Sequence, residues 1–493
     1  MKLQLIISLY FLTLSVQATE TLLIGGGGDP KGATTIFDDS LVALSHKKKE
    51  LNLNITSYFN GGHLNTEEIL EGDLKVKNQR FTSKNYESAV EGYIKKIETG
   101  AIKPGEKLMV ILDTHGAAKT STHRTHSIAT SGAEIKDYDN LGNNDHDSVD
   151  RLFDLAKIAE EKGVKLAILD FSCHSGNSLA LANDKTCVIS SSGPNHYGYS
   201  NFPATFYENM STGKNLEDVF LKTRLNYSAP SFPMISSPAG VDVNQDIYAL
   251  ISPYINIVTQ DGAADKLSPY LNSIFEGNNL CKRENDYAIL EKKIEDFQKI
   301  SGALRSKYYG NNDLVEELKS FKDLQDNYIK KLEETGLPLF NKVETISYGQ
   351  EVSEARPRKI GKDGKKIKSV TPAPKPIEES LTWRDIVTQY PLSNRDYFQE
   401  QLQTVKDPGQ KRDFLNAIDK YTKIELKRQE ILKKYPNIAQ AGKSLETLKN
   451  DYQKIWEKAS RVTELTNKYY DALYREKSKQ NANESNPCRD FTL

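Results

Sequence analysis

His115, Gly116 and Cys173 are the residues in this 493-residue chain whose types and placement most directly suggest chemistry. His115-Gly116 follows the apolar run Leu108-Met109-Val110-Ile111-Leu112 by two residues, and Cys173 follows Leu166-Ala167-Ile168-Leu169 after Asp170-Phe171-Ser172. Unbroken apolar runs of this length, bounded by polar residues and glycine, read as buried parallel strands. Ligands of open α/β sheets bind outside the carboxyl ends of the strands, so a His and a Cys at two such ends can meet over one cleft. A thiol becomes a strong nucleophile at neutral pH when a histidine takes its proton. The pairing points to a cysteine hydrolase.

The elements that must position these residues are also legible. Thr21–Ile24 reads as a first strand, followed by Gly25-Gly26-Gly27-Gly28-Asp29-Pro30 and a helix from about Ile36 to Leu51. Leu53–Phe59 reads as a second strand, Tyr86–Thr99 as a helix, and Val149–Lys162 as an amphipathic helix leading through Gly163 into the Cys-bearing strand. Alternating strands and helices predict a mostly parallel sheet with helices on both faces. The glycine run lacks the Gly-Lys-Ser/Thr order of a phosphate loop and the third glycine of a dinucleotide site, so it reads as a strand-end turn allowing close backbone approach.

The two motifs, in this order and with a helix between them, resemble the caspase-like cysteine peptidases: caspases, metacaspases, legumains, gingipains and clostripain. Ser172-Cys173-His174-Ser175-Gly176 is most similar to the metacaspase form of the second motif. The resemblance covers about residues 20 to 255. It implies a His115/Cys173 dyad without a required third carboxylate, a thioester acyl-enzyme, and an oxyanion hole from the amides of Gly116 and Cys173. It also implies a zymogen cut in an exposed loop. Metacaspases and legumains carry an acidic residue two positions before the catalytic Cys. Phe171 stands there in this chain, and Asp170 falls on the opposite side of the strand. Basic specificity therefore does not transfer simply. Ser190, Ser191 and Ser192, at the end of the next strand, are expected to bind substrate, while Asp242 and Asp246 are weaker candidates for an acidic floor. His174 is a competing base.

Several ligand classes find little support. The formal net charge of −1 argues against a general nucleic-acid binder. The segment Lys119–Ser148 holds His123, His126, His146, Asp137, Asp139, Asp145 and Asp147, but Leu141 and Ser148 break the order of a calcium-binding EF-hand. It reads as a solvated active-site loop. Calcium activation is a weakly supported option, and no metal or other cofactor is expected. The histidines lack a zinc-type partner set at a recognised spacing.

Residues 1–18 read as a signal peptide: Lys2, an apolar core from Leu3 to Leu14, and Val16-Gln17-Ala18 as the cleavage site. The mature protein is expected to begin near Thr19, to be secreted or periplasmic, and to have no membrane span after cleavage. The peptidase domain is expected over residues 19–260. From about Glu284 the apolar residues recur at threes and fours, most regularly at Leu445, Leu448, Tyr452, Ile455, Ala459, Val462, Leu465, Tyr469 and Leu473. That pattern predicts helices of a bundle or coiled coil over 261–347 and 380–493. Such a region is suited to limiting access to the cleft or recruiting a protein partner. Between these blocks, residues 348–379 form a basic, Pro-containing linker with Arg356, Arg358, Lys359, Lys362, Lys365, Lys366 and Lys368. It is the natural self-cleavage site if the pocket accepts basic residues.

Of the four cysteines, Cys173 must stay a thiol and Cys187 reads as a buried strand residue. Cys281 and Cys488, which flank the helical half, are expected to pair, although four cysteines permit three full connectivities. The leading function is an exported thiol endopeptidase acting on polypeptides. A peptide ligase or transamidase using the same dyad, and a non-catalytic helical binding or adhesion protein, are the alternatives.

Overall fold

The computed structural model describes residues 18–27, 36–60, 64–117, 123–130, 146–194, 196–229, 231–255, 314–334, 342–349, 376–382, 386, 390–404 and 408–493. The expected signal peptide falls outside this set except for Ala18, as do Cys281 and most of the basic linker. The chain divides into two compact units. The first takes in the residues up to Ser252 together with Thr463–Leu493, and the second holds the described residues from Leu314 to Val462.

The first unit is α/β. Its elements run β1 (Thr19–Gly25), α1 (Asp38–Lys48), β2 (Leu53–Phe59), β3 (Asn78–Gln79), α2 (Ser83–Glu98) and β4 (Lys107–Asp113). Three short strands follow: β5 (Gly116–Ala117), β6 (Ser127–Ala129) and β7 (His146–Ser148). Then come α3 (Leu152–Lys162), β8 (Lys165–Asp170), β9 (Thr186–Ser190), α4 (Asn201–Asn209), α5 (Leu216–Leu225), β10 (Met234–Ile235) and α6 (Pro238–Ile255). The central sheet has seven strands in the order β10-β9-β8-β4-β1-β2-β3, and only the β10–β9 pairing is antiparallel. From β1 the chain builds toward one edge through β2 and β3, and β4 then lies on the other side of β1. The strand order thus reverses between β1 and β4, where α/β sheets form their ligand crevices.

Strand alternation divides the sheet residues between two faces. Leu22, Ile24, Leu108, Val110, Leu112, Leu166, Ile168 and Val188 pack in one buried cluster with Tyr86, Val90, Tyr93 and Ile97 of α2 and Leu152, Leu155 and Ala159 of α3. Thr82 starts α2 by accepting the Asn85 amide at 3.2 Å, and Asn215 starts α5 by accepting the Asp218 amide at 2.8 Å. Each such cap satisfies an amide that the first helical turn cannot.

Cys187 has the opposite parity to Val188 and turns to the other face. There it forms a disulfide with Cys488, a connection across 301 residues. This replaces the expected Cys281–Cys488 pair. Flanking positions along the chain did not reveal proximity, whereas the pleat of β9 aims Cys187 at the chain's last helix. That helix, Pro487–Asp490, packs against β8, β9 and α5. Polar contacts hold the same tail in place. Buried Glu217 accepts Tyr474 Oη at 2.8 Å and both Nε and Nη2 of Arg489, at 2.9 and 3.0 Å. Tyr470 donates to Asn244 at 2.7 Å, and the Leu493 amide reaches the Lys214 carbonyl at 2.7 Å. Residues 463–493 therefore belong with the α/β unit, not with a separate helical region over 380–493.

The second unit contains α7 (Leu314–Glu334), β11 (Lys342–Tyr348), β12 (Ile377–Thr382), α8 (Tyr390–Thr404), α9 (Pro408–Lys434) and the first part of α10 (Pro436–Gln480). The helical periodicity around Leu445–Leu473 lies on α10, with Ile455, Ala459, Val462, Leu465 and Tyr469 buried. The expectation of helix on both sides of a linker over 348–379 needs correction. Lys342–Tyr348 and Ile377–Thr382 pair antiparallel, so both ends of that segment are strand. The β-branched residues Val343, Thr345, Ile346 and Ile377 favour extended backbone. Ile346 and Leu381 are buried with Ile424 and Ile431 of α9. Among the described residues no helix is long and apolar enough to cross a membrane.

Peptide mapping under non-reducing conditions is expected to yield a Cys187–Cys488 cross-linked peptide. Cys488→Ser should lower stability by about 2–5 kcal/mol, the usual loss for a native disulfide. A Cys281–Cys488 peptide would contradict this connectivity.

Candidate active site

β4 and β8 are neighbours in a parallel ladder whose last pair is Leu112↔Asp170. Three residues beyond that pair, the chain reaches His115 on one strand and Cys173 on the other. Both residues thus lie just past the carboxyl ends of neighbouring parallel strands. The two segments also meet directly. A Cβ at Gly116 would fall on the Cys173 carbonyl and lie 2.9 Å from the Cys173 nitrogen. Only glycine permits that backbone approach.

Cys173 is half-buried and outside any disulfide. The Gly198 amide donates to its Sγ at 3.4 Å, and the Sγ lies 3.9 Å from the Gly198 carbonyl. His115 is half-buried, and its ring sits edge-on to Phe37 with centroids 5.3 Å apart. The segment bearing His115 and Gly116 is held by a small sheet, β5-β6-β7. The Ala129 amide donates to the His115 carbonyl at 2.9 Å, and Gly116 faces Ile128. Antiparallel pairs alternate between bonded and non-bonded, so the Gly116 amide points out of this ladder. The glycine turn after β1 closes the same end of the sheet. Gly27 donates to Thr114 Oγ1 at 3.0 Å, and a Cβ at Gly27 would fall on the Ala129 carbonyl.

Beneath Cys173 lies a wholly buried polar network. Asp170 accepts the Ser172 amide at 3.1 Å, the Ser172 hydroxyl at 2.6 Å and the Ser178 hydroxyl. His126 Nε2 lies 2.8 Å from Ser172 Oγ. Burial pushes Asp170 up to about 6, against the hydrogen bonds from Ser172 and Ser178. Burial pushes His126 down to about 3, so its ring is neutral. Asp113, at the end of β4, accepts from Ser40, and burial raises it to about 7 with a further push from the Asp170 charge.

Other candidates fall elsewhere. Ser190, Ser191 and Ser192, expected to bind substrate, are fully buried. Ser190 donates to the Ser192 carbonyl at 3.0 Å, and Ser192 donates to the Ser172 carbonyl at 3.2 Å and bonds the Ser175 hydroxyl at 3.0 Å. Ser192 thereby ties the end of β9, which runs level with the end of β8, to the Cys loop. Phe171 packs among Phe202, Phe206 and Tyr207, with centroids 5.6–5.9 Å away. It is a core residue and leaves no acidic wall at its position. His174 takes a left-handed conformation (φ 63°), and its Nδ1 donates to the Pro194 carbonyl at 3.1 Å. That bond keeps the ring's proton on Nδ1, and burial holds the ring neutral with a value near 4. Asp242 on α6 lies 3.9 Å from Lys477, and Asp246 is exposed. Asp147 pairs with Arg151 at 2.6 Å, while Asp137, Asp139 and Asp145 lie outside the described residues. Among the described residues no group of three or more His, Cys, Asp or Glu gathers as a metal ion would require.

His126 and Gly198 were missed as contributors because nothing local marks them. Ser127-Ile128-Ala129, a short apolar alternation after His126, was the one available sign that a strand interrupts the polar segment.

The raised Asp113 value has a defined consequence for stability. A carboxyl raised on folding favours the fold fully below its unfolded value of 3.8, and that contribution is lost as pH rises through about 7. The melting temperature of Asp113→Asn relative to wild type should therefore climb between pH 4 and pH 7. A pH-independent difference would show that Asp113 ionises normally. No family model matches this chain, and no curated protein matches it.

Proposed function

We propose that this protein is an exported cysteine endopeptidase of the caspase-like type, with His115 and Cys173 as its dyad. The observation that carries the reading is the shared register: both residues lie three positions beyond one rung of the β4–β8 ladder, with Gly116 backbone against Cys173 backbone. In the reaction His115 accepts the thiol proton, and Cys173 Sγ attacks the scissile carbonyl carbon. The amides of Gly116 and Cys173 receive the developing oxyanion. The C–N bond then breaks, and His115 returns its proton to the leaving amine. Water attacks the resulting thioester and releases the acid and the thiol.

The surrounding chemistry supports this reading. The Gly198 amide, 3.4 Å from Sγ, orients the sulfur beside the cleft. A buried disulfide suits an oxidising compartment, in keeping with the N-terminal leader expected from the sequence. Self-processing in the basic segment, Arg356–Lys368, would leave both products joined. Cys187 and Cys488 lie on opposite sides of such a cut, so the C-terminal fragment stays attached.

Wild type, Cys173→Ala and His115→Ala should each be incubated with a peptide library and the products read by mass. Wild type should give cleavage products whose masses account for added water. Cys173→Ala should give none, and His115→Ala should lose about 10²–10⁴-fold, the usual contribution of a general base. Both variants should keep the wild-type circular dichroism. Turnover at the wild-type rate by either variant overturns the proposal.

A further inference from the structure

His126 lies in β4–α3 chain territory that the dyad chemistry does not use, yet its ring is the point where the small sheet grips the Cys loop. Its backbone carbonyl accepts the Val149 amide at 3.2 Å, and β6 begins at the next residue. β6 in turn holds the His115–Gly116 segment, through the Ala129 amide and the Gly116↔Ile128 pairing. On its other side, His126 Nε2 meets Ser172 Oγ at 2.8 Å and lies 3.5 Å from Asp170 Oδ2. Ser172 immediately precedes Cys173.

The proton positions follow from counting. The Ser172 hydroxyl has one proton, directed to Asp170 Oδ1 at 2.6 Å. Ser172 Oγ must then accept from His126, so the ring carries its proton on Nε2. Nδ1, left as an acceptor in this neutral tautomer, has no hydrogen-bond partner among the described residues. With the ring held neutral by burial, the donor does not change with pH in the working range. His126, Ser172 and Asp170 are all fully buried, so water cannot replace the bond easily.

We propose that His126 is a positioning residue of the peptidase site, latching the Gly116 segment to the Cys173 segment so that their two amides converge on one oxyanion. The latch rests on the peptidase reading above. It predicts a defect in transition-state stabilisation, not in the thiol itself. The two segments touch at Gly116 and Cys173 and again at His126 and Ser172, and the second contact fixes the spacing at the first.

The test compares His126→Leu, which removes the donor, with His126→Gln, whose amide nitrogen can take the place of Nε2. His126→Leu should lower kcat by about 10²-fold, near the low end of the loss for one oxyanion donor, with KM changed less than about threefold. Alkylation of Cys173 by iodoacetamide, which needs no oxyanion hole, should stay within about twofold of wild type. His126→Gln should recover most of kcat. Hydrogen exchange in peptides covering 114–117 and 171–176 should quicken in His126→Leu and return toward wild type in His126→Gln. Should His126→Leu not fold, Ser172→Ala carries the same comparison. Wild-type kcat in the variant lacking the donor overturns the proposal, as does a parallel fall of kcat and alkylation that His126→Gln fails to restore. If wild type cleaves no peptide, the peptidase reading fails separately, and the exchange rates alone decide the latch: unchanged exchange in His126→Leu overturns it.

Discussion

The ladder between β4 and β8 is the constraint on which the site depends. Its six rungs run from Lys107↔Lys165 to Leu112↔Asp170 without interruption. The register fixes which residues emerge together at the carboxyl end. A slip of one residue would reverse the facing of every side chain on the strand, driving Leu166 and Ile168 out of the cluster they share with α2 and α3. The hydrophobic core therefore enforces the register, and the register sets where the chain leaves the sheet ahead of His115 and Cys173. Gly116 then lets the segments touch, since any Cβ there would collide with the Cys173 backbone.

Polar groups at the sheet's carboxyl end carry this order into the loops. Asp170 terminates β8 and binds both the amide and the hydroxyl of Ser172, fixing the residue before Cys173. Ser192 reaches the Ser172 carbonyl from β9, and His126 reaches the Ser172 hydroxyl from the small sheet. Ser172 is thus held from three directions while Cys173 remains half-exposed beside it. Burying two carboxyls, Asp113 and Asp170, in one end of the sheet raises both above the ordinary carboxylate range. This costs stability at neutral pH, and the donors Ser40, Ser172 and Ser178 reduce that cost.

The central strands were legible in the sequence because each is a contiguous apolar run with an abrupt polar end. The same ends exposed His115 and Cys173. What could not be read was side-chain direction in places where the third dimension decides it. Ser190, Ser191 and Ser192 come at a strand end, as the sequence indicates, but all three are buried and Ser192 bonds the Cys loop. Cys187 was recognised as a strand residue, but its partner comes from a tail 301 residues away. The α10 periodicity was clear, yet the stripe does not say that Tyr470 and Tyr474 meet Asn244 and Glu217 of the α/β unit. β11 and β12 were hidden by their charges: Glu344, Glu378 and Glu379 sit among the few apolar residues that the strands bury.

If His115 and Cys173, past the ends of β4 and β8, form a single nucleophilic centre, Cys173 is selectively reactive and depends on His115. The most direct measurement is peptide mapping after treatment with a peptidyl acyloxymethyl ketone, an electrophile that needs a thiolate activated by a neighbouring histidine. One adduct is expected per chain, on Cys173, with labelling greatly slowed in His115→Ala and the fold unchanged. An adduct elsewhere, or equally fast labelling of Cys173 when His115 is replaced, would contradict the account.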